Sequence, residues 1–336
     1  MKEEQIAALD FDWGEFTPAQ QAAYALARKL TYEPHRLADV DFDGLRKHYT
    51  DLQILEMVIS ISGNNSTNRW KEGVGSAQSK EGGSFARKTK DPAKAKNGAK
   101  EPLPKDAPAV LKTFLTPTPE KYKNSITKVA PLQIDEKTGS PTRQTVCVRS
   151  PLEARAQVEA ALAACQKRTP RLPLVDVVEA RKILPEDWPQ GPLPQWVRLL
   201  ANFPVEGKSR ITGFRSAENK GDLTPVMKAQ LSWVIARQDR AWYAAGHAKQ
   251  RLKELGWSDE QVYQLDGSWA SFTPAERALF KVARNLAASP IVLTDDDVNQ
   301  AVKLVGPRDV VQTISYTTSC SSFNRITEAA GLRLEK

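Results

Sequence analysis

The sequence predicts an all-α protein built from a duplicated helical domain whose first copy is incomplete. The chain repeats itself: residues 2–75 align with residues 258–331 at a constant offset of 256 without a gap, and 23 of the 74 aligned pairs are identical. Both copies carry helix-start signals and helical apolar spacing, and no sustained alternation of apolar and polar residues indicates strands. A period this long indicates two halves that can pack as a pseudo-dimer rather than a solenoid.

The first predicted helix of each copy begins at a capping box. Thr17 and Thr273 are each followed by a proline and, three positions after the threonine, by Gln20 or Glu276. This combination is typical of a helix N-terminus, because the threonine accepts from a free backbone N–H and proline suits the first turn. Apolar residues then recur at i, i+4 and i+8, which predicts one buried stripe per helix: Ala22, Leu26 and Leu30 in the first copy, and Ala278, Val282 and Leu286 in the second.

Two more helices are predicted in each copy. In the second copy, one begins after Thr294 with Asp297 as its box partner and ends near Gly306. The next begins after Pro307 and closes at Gly331. We expect this last helix to bury three residues near its start: Val310, Val311 and Ile314.

We divide the chain into four segments. Residues 1–75 form the N-terminal half-repeat, and residues 76–106, which hold almost no large apolar side chains, are expected to be a disordered basic linker. Residues 107–190 are a Pro-rich arm followed by a connecting helix, and residues 191–336 form the complete domain. The complete domain contains a helix–helix unit over Pro225–Gly256 that has no counterpart in the first half.

Charge and composition exclude several classes of function. The net charge is +8, but residues 71–125 carry 12 Lys/Arg and 6 Asp/Glu, so the rest of the chain has only +2. A basic charge concentrated in a linker is not a nucleic-acid footprint.

No apolar run approaches the length of a membrane span, and the N-terminus does not look like a secretory signal, although an upstream segment could be missing. Three widely spaced cysteines fit a reducing compartment, so we expect a cytoplasmic protein.

Three side chains in the helix–helix unit could carry chemistry. Arg240, Tyr243 and His247 are spaced three and four residues apart, which places them on one face if they share a helix. Histidine suits acid–base work near neutral pH. A cation one turn away could hold a carboxylate, and a phenol could donate a proton. The alternative is that Tyr243 and His247 are satisfied, partly buried packing groups.

The stretch from Leu231 to Gly256 resembles the core of the carboxymuconolactone decarboxylase and alkylhydroperoxidase D-like family. That core has the form C-x-x-C-x-x-x-H followed by A-x-x-x-G. The stretch from Thr273 to Gly331 looks like the C-terminal helices of the family, including an Asn-Arg pair at Asn324 and Arg325, which are the implied binding residues. The resemblance covers residues 191–333, and it extends to residues 2–75 through the repeat.

The chain departs from the family where its peroxidases do their chemistry. The positions of the two family cysteines hold Arg240 and Tyr243, the position of the family glutamate holds Lys228, and only His247 is retained. Thiol peroxidase chemistry needs a thiolate nucleophile, so it is excluded at this position. Cys320 is the only nearby cysteine in the sequence, and we expect it to be a core residue.

The resemblance and the residues together predict, if the protein is an enzyme, a cofactor-free lyase-type acid–base reaction on a small carboxylated or carbonyl substrate. His247 is the predicted base, Tyr243 the proton donor and Arg240 the anion holder. We expect a homo-oligomer with a small-molecule substrate and no cofactor, metal, nucleic acid or membrane partner. A non-catalytic family member that serves assembly or binding is the alternative. Whether His247 opens onto a pocket separates the two.

Overall fold

The structure is a computed structural model that describes Trp13, residues 16–76 and residues 151–335. The predicted linker beyond residue 76 and the predicted arm over residues 107–150 lie outside the described residues. Within the described ranges every regular element is a helix and there is no strand, so the all-α prediction is confirmed. No helix in these ranges combines the length and apolarity needed to cross a membrane.

The described ranges contain thirteen α-helices and one 3-10 turn. In chain order the elements are α1 Pro18–Tyr32, the turn Pro34–Arg36, α2 Asp39–Arg46, α3 Asp51–Gly73, α4 Arg155–Cys165, α5 Val177–Lys182, α6 Gln195–Leu200, α7 Pro204–Asn219, α8 Pro225–Asp239, α9 Trp242–Glu254, α10 Asp259–Gln264, α11 Pro274–Ala287, α12 Asp295–Val305 and α13 Pro307–Ala329.

The sequence repeat is also a structural repeat. Helices α1, α2 and α3 correspond to α11, α12 and α13, and the long helices α3 and α13 both have 23 residues and begin and end at aligned positions. The capping boxes predicted at Thr17, Thr273 and Thr294 are present, each with its side chain accepting from the third residue of the helix. The predicted helix starts are therefore confirmed.

The two copies share the hydrogen bond that fixes the first helix against the second. In the first copy Lys29 Nζ donates to Asp41 Oδ2 over 2.7 Å, and in the second copy Asn285 Nδ2 donates to Asp297 Oδ2 over 2.8 Å. The two carboxylates are aligned residues and lie in the first turn of α2 and α12. Both copies thus join their first two helices at aligned positions, with Lys29 as the donor in the first copy and Asn285 in the second.

The two copies pack against each other through α3 and α13, the two long helices. Their polar contacts cross between the copies: Arg325 on α13 donates to the carbonyl of Thr31, and Arg69 on α3 donates to Ser289. Arg69 and Arg325 are aligned residues of the repeat. The contact is therefore of the pseudo-twofold kind that a duplicated chain can form internally.

The predicted buried stripes of α1 and α11 are confirmed, since all six of their residues are buried. The prediction for the start of α13 is wrong in one residue. Val310 and Ile314 are buried, but Val311 is 47% exposed. Val310 and Ile314 are four residues apart and share a face, whereas Val311 is rotated about 100° from Val310 and faces outward.

The segment between the two copies covers the outer side of α13. Helices α8 and α9 form an antiparallel hairpin that packs on α13, and α4 packs on α9. The aliphatic and aromatic side chains of this segment join those of the first copy in one large core cluster. This arrangement places the predicted helix–helix unit, as α8 and α9, next to the long helix of the second copy.

Candidate functional site

Arg240 does not share a helix with Tyr243 and His247, so the prediction of one common face for the three residues is wrong. Helix α8 ends at Asp239, and Arg240 caps it in the left-handed conformation with φ 53°. Helix α9 begins at Trp242. The reversal of the chain at Arg240 turns its side chain away from the other two.

Arg240 instead forms an ion-pair cluster with Arg237 and Glu153. Its Nε donates to Glu153, and its Nη2 donates to the carbonyl of Pro151 over 3.2 Å. Arg237 joins the same carboxylate over 2.9 Å. Burial would raise the pKa of Glu153, but the hydrogen bonds with the two arginines help to hold it below its usual range. The charge of Arg240 is thus paired with the carboxylate of Glu153.

Tyr243 and His247 do lie together on α9, and a third residue joins them. Their rings are 4.5 Å apart in an edge-to-face arrangement. The Tyr243 hydroxyl donates to Glu335 Oε1 over 3.1 Å, and the His247 Nε2–H donates to Glu335 Oε2 over 3.1 Å. Burial, followed by the charge of Glu335, raises the pKa of Tyr243 well above its usual value, so the phenol keeps its proton.

The protonation state of Glu335 sets the tautomer of His247. Burial would raise the pKa of Glu335, but hydrogen bonds from His247 and from the Gln195 backbone N–H outweigh it and leave the pKa below its usual range. An ionised carboxylate only accepts hydrogen bonds, so the imidazole must carry its proton on Nε2. The lone pair of Nδ1 then has no hydrogen-bond partner among the described residues. In this tautomer Nδ1 is the acceptor atom of the ring.

Glu335 comes from an extended segment after α13 that is held against the helices. Leu334 N–H donates to the Cys165 carbonyl over 3.2 Å, and Gln195 N–H donates to Glu335 Oε1 over 2.6 Å. Gly246 lets the segment approach α9, because a Cβ at this position would lie 2.3 Å from Leu334 Cδ2. A glycine at position 246 thus leaves room for Leu334, the residue directly before Glu335.

His247 lines a pocket of about 840 Å³, whereas the buried Tyr243 does not. The pocket wall contains four aromatic rings packed edge to face, with centroids 5.4 to 6.2 Å apart. These rings are Trp188, Trp196, Phe214 and Phe323. A pocket of this size and lining suits a small, largely apolar molecule.

Helices α8 and α13 also contribute polar side chains to the lining, among them Ser232 and Asn324. Cys320 lines the pocket, and burial raises the pKa of its thiol to about 12, so the thiol stays protonated. Ser232 lies beside it and shares a hydrogen bond of 2.6 Å with the Tyr316 hydroxyl. Tyr316 in turn donates to Glu218 over 2.7 Å, and Glu218 pairs with Arg251.

The arginines that line the pocket are already paired. Arg251 pairs with Glu218, and Arg215 pairs with Asp187 over 3.0 Å. His247 itself faces Glu335. The described lining residues therefore offer no cation without an acid beside it, which does not favour an anionic ligand.

Asn324 and Arg325, the binding residues implied by the family resemblance, are both buried in α13. Asn324 Nδ2 donates to Asp239 Oδ2 over 2.9 Å, and Arg325 Nη1 lies 3.4 Å from the same oxygen. Only Asn324 of the two lines the pocket. Lys228, at the position of the family glutamate, donates to the backbone carbonyls of Glu218 and Lys220 at the end of α7.

Glu335 and the aromatic wall are the parts of the site that the sequence analysis missed. Glu335 is 88 residues from His247 in the sequence, and no local motif marks it. Trp188 lies in a Pro-rich stretch and Trp196 in α6, in a region that was predicted to be helical, but nothing in the local sequence indicates that their rings meet. Cys320, which was predicted to be a core residue, is only partly buried: it packs against the core and also borders the pocket.

Neither a protein-family model nor a curated protein sequence matches the chain. Two solved structures of the debrominase Bmp8 are similar to it. The one of a variant with 2,3,4-tribromopyrrole is 15% identical and covers 56% of this chain and 92% of that chain, with a TM-score of 0.40. The apo structure is 14% identical and covers 57% and 94%, with the same TM-score.

Proposed function

We propose that the pocket is the active site of a cofactor-free acid–base enzyme in which His247 removes a proton from a small carbonyl compound. The observation that carries this proposal is the placement of His247, which opens onto the pocket while its Nε2–H is held by Glu335. A histidine that served only as a packing group would not need to line the pocket.

In this proposal Glu335 does not touch the substrate. It fixes the tautomer of His247 and stabilises the imidazolium that forms when Nδ1 takes a proton, as a carboxylate behind a catalytic histidine does. Tyr243 was predicted to be the proton donor. Its hydroxyl is buried and donates to Glu335, so the proposal gives Tyr243 a positioning role.

The substrate class follows from the lining of the pocket. Four aromatic rings and no unpaired cation among the described lining residues favour a neutral, partly aromatic ketone or lactone over a carboxylate. Arg240 cannot hold a substrate carboxylate in this pocket because it is paired with Glu153 outside it. Of the two substrate classes predicted, the proposal therefore keeps the carbonyl compound.

A hydrogen-exchange assay tests this function without knowledge of the final product. Purified protein is incubated in D₂O with a panel of aromatic lactones and ketones, and deuterium incorporation next to the carbonyl is followed by NMR. His247→Gln should lower the rate of incorporation by roughly 10²–10⁴-fold, the usual contribution of a general base.

His48→Gln is the matched control, because it makes the same substitution at a histidine that does not line the pocket. It should leave the exchange rate unchanged. No exchange with any compound of the panel, together with early unfolding of His247→Gln, would contradict the enzyme proposal. That result would favour the alternative, a non-catalytic protein that serves assembly or binding.

A further inference from the structure

A second cavity lies between the two copies of the repeat. It has a volume of about 670 Å³ and is bordered by α3, α7 and α13. It is separate from the His247 pocket, although Phe214 and Ser319 border both. We call it the Arg210 cleft, after the one charged residue in its described lining.

Arg210 enters this cleft from α7. It makes no ion pair or hydrogen bond with the residues that the structure describes. Its guanidinium lies against α3 at Gly63, where a Cβ would be 3.1 Å from Nη2. Burial lowers the pKa of Arg210, and no carboxylate among the described residues raises it again. A half-buried guanidinium needs a counter-charge to offset its lost hydration.

Several side chains that can form hydrogen bonds line the cleft around Arg210. The hydroxyls of the two lining threonines donate to helix carbonyls: Thr67 to Gly63 and Thr318 to Ser315. Five other lining side chains make no hydrogen bond with the described residues, and they are Ser60, Asn64, Ser66, Ser319 and Ser322. These hydroxyl and amide groups come from two helices that face each other, and each can donate to an oxygen atom between them.

The repeat accounts for the convergence of these donors. Ser66 and Ser322 are aligned residues, as are Gly63 and Ser319, and all four border the cleft. The contact of α3 with α13 thus presents small side chains from both copies to one space. Arg210, from the segment that is not repeated, adds the charge.

We propose that the Arg210 cleft binds the phosphate group of a small molecule. A tetrahedral oxyanion has enough acceptor oxygens to use the guanidinium and several of the hydroxyl donors at once, and arginine pairs with it in a charge-assisted, bidentate way. A planar carboxylate would reach fewer of these donors. This inference does not depend on the function proposed for His247.

Calorimetric titration of the full chain with inorganic phosphate tests the proposal, with acetate and chloride at equal ionic strength as the competing anions. Phosphate should bind more tightly than acetate. Arg210→Gln should weaken phosphate binding by about 10–100-fold, the usual loss for a hydrogen-bonded charge. Ser66→Ala removes one hydroxyl without touching the charge and should weaken binding by a smaller factor.

Lys208→Gln is the matched control. It removes one positive charge from the same helix, but Lys208 is exposed and does not border the cleft. Phosphate affinity should be unchanged in this variant. Equal affinity in the wild type and in Arg210→Gln, equal loss in Lys208→Gln, or no preference of the wild type for phosphate over acetate would each overturn the proposal.

Discussion

His35 is a largely buried histidine whose ionisation should make the stability of the protein depend on pH. It lies in the turn Pro34–Arg36, and its buried Nδ1 has no hydrogen-bond partner in the part of the chain that the structure describes. Burial and the charges of Arg240 and Arg36 lower its pKa from 6.5 to about 4, and Glu33 and Glu153 only partly oppose them. The folded protein therefore holds His35 in its neutral form.

The lowered pKa of His35 predicts that the folded protein becomes less stable in acid. Between pH 6.5 and about pH 4 the unfolded chain protonates His35 and the folded chain does not, so stability falls as the pH falls through this window. The loss should be on the order of 2–3 kcal/mol after allowance for partial exposure. Urea unfolding at several pH values should show a flatter pH dependence for His35→Gln, and an unchanged slope would contradict this account.

At the scale of elements, the contact between α9 and the extended segment after α13 controls the site. Gly246 on α9 leaves room for Leu334, and Leu334 precedes Glu335. Gly246→Ala improves helix propensity by roughly 0.5–1 kcal/mol, but its Cβ must push Leu334 outward. We expect the displacement to weaken the hydrogen bond between Glu335 and His247.

NMR of the His247 ring can measure this effect. Gly246→Ala should change the tautomer population at His247 and lower exchange activity, with a smaller change in the thermal midpoint. Gly213→Ala on α7 is the control for stability, since a Cβ there meets no atom within 4 Å. If Gly246→Ala leaves the tautomer unchanged, then Leu334 does not position Glu335.

Features encoded by a few neighbouring residues could be predicted from the sequence, and features decided by distant contacts could not. The capping boxes at Thr17 and Thr273 are local and were predicted correctly. The left-handed conformation of Arg240 was not, because a non-glycine residue adopts it when tertiary contacts such as that with Glu153 outweigh the strain. Glu335 was missed for the same reason, since only folding brings it to His247.

At the scale of the molecule, the first copy serves as a permanent partner of the second. The long helices α3 and α13 pack together, and the contacts of Arg69 with Ser289 and of Arg325 with Thr31 cross between the copies. We expect this interface to persist after cleavage of the covalent connection between residues 76 and 151.

Limited trypsin digestion tests this independence. The lysine-rich stretch over residues 80–105 holds few large apolar residues, so we expect the first cuts there. The two fragments should still elute together in gel filtration under native conditions and separate in denaturant. Separation in native buffer, or a first cut within 258–331, would contradict the account of the two copies as a pseudo-dimer.

Aligned positions on the two long helices, α3 and α13, border different cavities. Cys320 and Phe323 on α13 border the aromatic pocket, while their aligned counterparts on α3, Asn64 and Thr67, border the Arg210 cleft. The dyad of His247 and Glu335 lies wholly outside the repeated stretches. At these two aligned positions the side chains beside the pocket are a thiol and an aromatic ring, and those beside the cleft are an amide and a hydroxyl. The two long helices thus pack together while the side chains that they contribute to the two cavities differ.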